Sequence, residues 1–334
     1  MSDNTPRRQH RLLLALLAGL LAPGLAQAQH TANVPTHPRD GRLVHHVTQD
    51  AQQPPVRAPI SFKFGTVDYP DGPDSDAQAI NDKNIIVGTY GGDLPDFRQG
   101  LPAYGFLLKS GSFKKIVYPK APITLPFGLN SSGEVVGYYS LDPADESGHG
   151  FTLVGNKFTT VDYPGGVQYT FLNSINKSGQ IVGLYSFKGD NDSHGFLLKA
   201  GVFTDIVYPG SAGTFPYGID DAGDIVGCYT IDNVTLHGFT LVSGVYSNVD
   251  YSGATDTCLL GLNNKGQMVG YYDEGSGTIA HGFLWQSGTF TAFDVPYAGV
   301  VTTWPFAIND SGRIVGQYWD SNNYTFGFEA KIGK

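Results

Sequence analysis

The stretch INDSGRIVGQY, Ile308 to Tyr318, decides how this chain folds, because close copies of it occur five more times upstream. The glycine closing each IVG-like string stands at Gly88, Gly137, Gly183, Gly227, Gly270 and Gly316, with separations of 49, 46, 44, 43 and 46 residues. A steady period of about 40 to 50 residues marks a repeat architecture with units the size of a four-stranded propeller blade; a β-helix coil needs roughly half that length.

Each unit carries four short β-type runs, named a to d here. Run a ends in a small residue, an aliphatic and Asn or Asp, as in Ala307-Ile308-Asn309; run b is IVGxY; run c is HGFLL; run d is FTTVDYP. Between a and b, the Asn side chain can bond the start of a tight turn, and a Gly three residues on supplies the positive φ of a bulged hairpin. The first copy has Asn84 where the others have Gly133, Gly179, Gly223, Gly266 and Gly312. Asn is the residue next most tolerant of that conformation. The small residue in run a suits strands that converge on an axis.

The order of runs predicts closure. A lone run d, Phe62 to Pro70, precedes the first run a, and the last unit stops after run c near Ala330. The sequence therefore predicts an all-β, six-bladed β-propeller of four-stranded blades over 62–334, with the N-terminal strand completing the last blade. The paired INxxGxIVG and HGF signatures, over roughly residues 62 to 330, resemble the extracellular HAF-repeat proteins, in which a His-Ala-Phe triplet stands where this chain has HGF. The outer units depart from that pattern, with Tyr104 and Phe326 in place of His. The resemblance implies an extracellular repeat protein and brings no catalytic residues with it.

Ahead of the repeats, Arg7, Arg8 and Arg11 precede an apolar run from Leu12 to about Ala22, and Ala26-Gln27-Ala28 fits a cleavage site. Residues 1–28 read as a signal peptide, with Sec and twin-arginine export both open, and 29–61 as a polar flexible leader. The expected location is secreted or periplasmic, with no membrane span and a monomeric state. Formal charge is -9. Without residues 1–28 it is -11, from 18 Lys+Arg against 29 Asp+Glu. So acidic a chain repels phosphate backbones, which argues against nucleic acid as a partner. Cys228 and Cys258 fall in corresponding regions of neighbouring repeats; in an exported chain they form either a disulfide or two buried thiols.

The a–b and c–d turns are short and alike, whereas the b–c and d–a loops vary, so binding is expected on the b–c/d–a face near the axis. A pattern T-x-P-[FY] leads into run a there. Thr214 and Thr303, with Phe171, Phe215 and Trp304, are expected to line an aromatic mouth, beside Tyr272, Tyr318 and Trp319 at the ends of run b. Aromatic faces and hydroxyls suit sugar rings. His149, His194, His237 and His281 lie about 10 Å out from the axis strand and are expected to brace their own loops rather than to share a metal. Asp68, Asp162, Asp250 and Asp294 are expected as turn or ladder partners.

Few titratable groups fall near the expected mouth. Asp76 and Asp256 are the candidates for acid–base chemistry. No cofactor is required; the clusters Asp71 to Asp76 and Asp190-Asn191-Asp192 offer oxygen ligands for Ca²⁺ without matching a twelve-residue calcium loop. The sequence reads as a secreted or periplasmic binding or interaction module, with a carbohydrate or cell-envelope glycan as partner. A polysaccharide lyase or hydrolase and a purely structural repeat protein are the alternatives.

Overall fold

The structure, a computed structural model, describes residues 60–70, 74–91, 102–142, 147–189, 192–275 and 279–333. The predicted signal peptide, nearly all of the leader, Asp71 and the Asp190-Asn191 pair lie outside those residues.

Among the described residues every element is a strand. After β1 (Phe62–Thr66), the first unit supplies β2 (Ser75–Ile80), β3 (Ile86–Gly91), β4 (Ala103–Lys109) and β5 (Ser112–Ile116). The second has β6 (Ile123–Leu129), β7 (Val135–Ser140), β8 (His149–Val154) and β9 (Lys157–Val161); the third β10 (Val167–Ile175), β11 (Ile181–Phe187), β12 (His194–Lys199) and β13 (Val202–Ile206). Then come β14 (Gly213–Ile219), β15 (Ile225–Thr230), β16 (His237–Val242) and β17 (Val245–Asn248), and β18 (Asp256–Leu262), β19 (Met268–Asp273), β20 (Ala280–Gln286) and β21 (Thr289–Phe293). Last are β22 (Val300–Ile308), β23 (Arg313–Asp320) and β24 (Thr325–Ile332).

The chain is an all-β β-propeller with four-stranded blades. β1 pairs antiparallel with β24, Phe62 opposite Ile332 and Thr66 opposite Phe328, so the first strand completes the last sheet as expected. Gly333 N–H also donates to Ser61 O at 2.7 Å, and Ile60 packs beside the same sheet, so the end of the expected leader is tied down. The number of separate blades departs from expectation. Four sheets stand alone, β1-β24-β23-β22, β10 to β13, β14 to β17 and β18 to β21, while β2 to β9 form one eight-stranded sheet. The link is one parallel pair, Ala103 on β4 with Ile123 on β6, with Ala103 N–H donating to Pro122 O at 3.1 Å.

Each INxxG turn is built as its residues dictate. Asn309 Oδ1 accepts from Ser311 N–H and Arg313 N–H, and Gly312 has φ 75°. Asn84, the exception, has φ 56°. The Asn amide does a second job that the sequence does not announce: Asn81 Nδ2 donates to Asn130 O, Asn130 to Asn176 O, Asn176 to Asp220 O, Asn263 to Asn309 O, and Asn309 to Asn81 O. The turns are thereby chained around the axis.

Between sheets the packing is equally repetitive. Phe106, Phe151, Phe196, Phe239, Phe283 and Phe328, the Phe of each run c, are all 0% exposed. Burying each is worth about 2 to 3 kcal/mol. The IVG glycine makes room for them: a Cβ at Gly316 would lie 2.1 Å from Trp304 O and 2.8 Å from the Phe328 ring. Farther toward the loops, the Tyr ending run d stacks on the run-b Tyr of the next unit at five of the six steps, as Tyr118 on Tyr139 at 3.5 Å and Tyr251 on Tyr272 at 3.8 Å between centroids.

Candidate functional site

The inner strands β2, β6, β10, β14, β18 and β22 run side by side around the axis, and each carries a β-bulge against its neighbour in the hairpin. The extra residues are Gln78, Phe127, Asn173, Tyr217, Leu260 and Phe306. A bulge re-aims a side chain out of the sheet's alternation. These six do line an axial cavity of about 140 Å³. Below them the wall narrows to the small residues Ala79, Gly128, Ser174, Gly218, Gly261 and Ala307. Here the strands nearly touch, since a Cβ at Gly261 would lie 2.9 Å from Ala307 Cα. The cavity meets a second, polar space rimmed by the Asn turns, and both share the aliphatic ring that includes Ile80, Ile219 and Ile308. The axial opening is therefore on the a–b face.

That placement corrects the expected aromatic mouth on the b–c/d–a face. Phe171, Phe215 and Trp304 are 2 to 4% exposed and belong to one axial cluster with Leu125, Tyr138 and Tyr271. Two of them are covered by a Tyr of the preceding unit: Tyr138 stacks on Phe171 at 4.3 Å and Tyr271 on Trp304 at 4.9 Å. At the equivalent step Cys228 on β15 and Cys258 on β18 form a disulfide, which settles the two readings of that pair. Apolar side chains and a covalent bond fill this end of the axis.

The hydroxyls are also turned inward. Thr214 Oγ1 accepts from Tyr208 N–H at 2.9 Å, and Thr303 Oγ1 from Val295 N–H at 3.1 Å. Thr124, Thr170, Thr257 and Ser75 do the same for Tyr118, Tyr163, Tyr251 and Tyr69. The Thr of T-x-P-[FY] thus holds the d–a connection in place instead of facing a ligand. Tyr272 and Tyr318 pack between blades, and burial foremost pushes the Tyr318 phenol up to about 12. Trp319 is half-buried, 5.6 Å from Trp304 between ring centroids.

Three of the four histidines, expected to brace their own loops, pair instead with a carboxylate of their own blade. His149, His237 and His281 place Nδ1 within 2.8 to 2.9 Å of Asp162, Asp250 and Asp294, the run-d Asp of the same blade. The other carboxylate oxygen of Asp162 and of Asp250 accepts from the Gly N–H after the His.

Asp76 and Asp256 are not brought together. Asp76 occupies the axial step held elsewhere by Leu125, Phe171, Phe215, Cys258 and Trp304. It is 3% exposed and accepts from Thr89 N–H, Thr89 Oγ1 and Gln78 Nε2. Burial outweighs those bonds and pushes its carboxyl up to about 6. Asp256, at the loop end of β18, accepts from Leu236 N–H and is raised by burial first, with Asp273 opposite adding repulsion. Among the described residues no three His, Cys, Asp or Glu side chains gather as a metal site.

On the b–c/d–a face the loops carry exposed apolar residues. Leu141, Phe187 and Ile231 occupy the same position, two residues past the run-b Tyr, in three successive units, and all are exposed. Val234, Ile279 and Tyr324 are exposed on b–c loops, and Val301 at the start of β22. The cavity residues were the ones the sequence did not reveal. Their signal was the last letter of T-x-P-[FY], since Pro126, Pro216 and Pro305 each precede a bulged aromatic.

No family model matches the chain, and no curated protein matches it. Solved structures of similar shape include the Aleuria aurantia lectin in complex with Fucalpha1-6GlcNAc, at 12% identity over 79% of this chain and 97% of that one, TM-score 0.48. A Xanthomonas campestris gluconolactonase shares 10% identity over 81% of this chain and 90% of that one, TM-score 0.48. Trypanosoma rangeli sialidase shares 5% identity over 82% and 55%, TM-score 0.47. Likenesses this distant carry nothing about what this chain binds.

Proposed function

We propose that this protein is an exported binding module of the HAF-repeat type, built of six four-stranded units, that takes its ligand on the b–c/d–a loop face. The count of six treats the eight-stranded sheet as two units, because only Ala103 and Ile123 join its halves. The observation that carries the reading is the exposed arc Leu141, Phe187 and Ile231, one equivalent position in three units, on a rigid scaffold.

A glycan is the ligand class. Exposed Phe187 and Tyr324 offer ring faces, and the Asp320 and Asn322 side chains beside Tyr324 offer polar atoms to sugar hydroxyls. A glycan array probed with wild type, Phe187→Ala and Tyr324→Ala tests this. Binding that drops in both variants supports it; a silent array, or binding indifferent to both, counts against it. The aliphatic Leu141, Ile231 and Val234 favour, as a second reading, a protein partner on the same face. An array silent to glycans with capture of an envelope protein that Ile231→Glu abolishes would select that reading.

A further inference from the structure

Where the first and second units meet, a groove of about 560 Å³ opens beside their a–b and c–d turns. That is the size of a small-molecule site. Its floor is apolar, with Ile85, Leu107 and Ile116 on one side and Val135, Leu153 and Phe158 on the other. Its rim carries Lys83, Lys109 and Lys114, all exposed, and among the described residues no Asp or Glu lines it. None of these three ammonium groups pairs with a described carboxylate. Lys114 Nζ donates across the groove to Asn156 Oδ1 at 2.8 Å, a neutral acceptor that leaves its charge uncompensated. Lys115 alternates to the other face of β5, where its Nζ stands 3.7 Å from the Tyr104 ring centroid.

Strand register brings two of the lysines together. Leu107 pairs with Lys114, and Lys109 with Ser112, so Lys109 and Lys114 are diagonal neighbours on the face that Leu107 turns toward the second unit. Diagonal neighbours lie about 7 to 8 Å apart, within joint reach of one anionic group on flexible Lys stems. The junction is also an exception within the repeat. Ile85 stands where the second and fourth units have Glu134 and Asp224, and Val117, also in the lining, stands where four runs d have Asp. Lys114 stands where the next two units have Thr159 and Thr204. In a chain of formal charge -9, the residues peculiar to this junction remove carboxylates and add an ammonium group.

We propose that this groove binds a phosphate monoester carrying a single apolar chain, the phosphate among Lys83, Lys109 and Lys114 and the chain on the apolar floor. A phosphate monoester carries close to two negative charges and three acceptor oxygens, which matches three uncompensated donors better than a carboxylate does. The floor side chains offer no hydrogen bond, so a peptide backbone laid there would leave its amides unpaired, whereas an apolar chain asks for none. The groove lies at the turn end of the blades, opposite the loop face, and does not depend on the glycan reading.

The test is calorimetric titration of the full chain with decyl phosphate below its micelle concentration, against inorganic phosphate and the neutral decyl tri(ethylene glycol) ether. Decyl phosphate is expected to bind one per chain, and each control at least about tenfold more weakly. Lys83→Ser, Lys109→Val and Lys114→Thr together install the second unit's own residues, Ser132, Val154 and Thr159, at those positions, so the blade already accommodates them. The triple variant should weaken decyl phosphate about tenfold or more, each exposed charge pair being worth up to about fivefold. Ile85→Glu, which copies Glu134, puts a carboxylate on the floor and should abolish binding. Tyr324→Ala on the loop face should leave it unchanged, so that failure here is distinguishable from failure of the loop-face reading. No binding of decyl phosphate, binding indifferent to the triple variant, or either control binding as tightly overturns the proposal. An acidic, leucine-bearing pentapeptide that binds more tightly than decyl phosphate would also overturn it and assign the groove to a protein partner.

Discussion

Asn309 Nδ2 donates to Asn81 O at 3.0 Å, joining two turns 228 residues apart in the chain. The same atom pair recurs between units 44 to 49 residues apart elsewhere in the ring, so the last turn treats the first as its next neighbour. One Asn thus serves twice: Oδ1 fixes its own hairpin and Nδ2 ties the hairpin to the next blade. Asn309→Ala should therefore cost more than an ordinary turn substitution, about 2 kcal/mol or more from several lost bonds. The midpoint of urea unfolding measures it.

The ring has one weak link. Asp220 stands where the other units have Asn, and it has no amide to donate to Asn263 O. Its carboxyl is raised, chiefly by burial. Asp220→Asn supplies the missing donor and removes a half-buried charge. The variant should be more stable by about 1 kcal/mol, seen as a rise in Tm.

Asp76 gives a pH signature. Burial pushes its folded-state carboxyl up to about 6, from the ordinary 3.8 of an unfolded chain. The native state therefore binds more protons than the unfolded chain between those values, and stability falls as pH rises through that window. Above it the deficit is about 3 kcal/mol. Asp76→Asn should gain stability at pH 8 and little at pH 3.5; its Oδ1 still accepts from Thr89 N–H, while Nδ2 donates to Thr89 Oγ1 and to Gln78 once that amide turns its Oε1 inward. Thermal unfolding of both proteins across pH 3.5 to 8 reads the difference.

Two backbone and covalent constraints are open to direct tests. Gly316→Ala places a methyl against Trp304 O and the Phe328 ring, an overpacking worth about 1 to 3 kcal/mol or more, and should lower soluble yield and Tm.

Reduction of Cys228–Cys258, which spans 30 residues, should cost about 3 to 4 kcal/mol if the loop-entropy account holds. Thermal unfolding with and without reductant checks it, and a Cys228→Ser/Cys258→Ser double variant should match the reduced protein.

The sequence carried the fold because its signals are local and repeated. An Asn three residues ahead of Gly, an IVG glycine and an HGF triplet each have one structural use, and the missing run d at the C-terminus told where β1 must go. The site was less legible for a geometric reason. Period-2 alternation predicts which strand residues share a face, but a bulge in every inner strand breaks that count by one. Thr303 and Trp304, expected at a mouth because they lead into run a, point inward, while Phe306, two residues on, reaches the cavity wall. Nor does a single chain show that Tyr138 will cover Phe171, or that Thr214 is needed by Tyr208 N–H. Those are relations between neighbouring units, set by the spacing around the ring.

Every placement here, of the loop face, the Asn-turn face and the cavity between them, requires the first strand to lie in the last sheet. Amide hydrogen exchange of the full chain, read by mass spectrometry on peptides covering Phe62–Thr66 and Thr325–Ile332, tests that pairing. The two peptides should be protected together and lose protection together as urea is raised. Rapid exchange across 62–66 while 325–332 stays protected would mean the ring is not closed by its N-terminal strand, and would contradict the account.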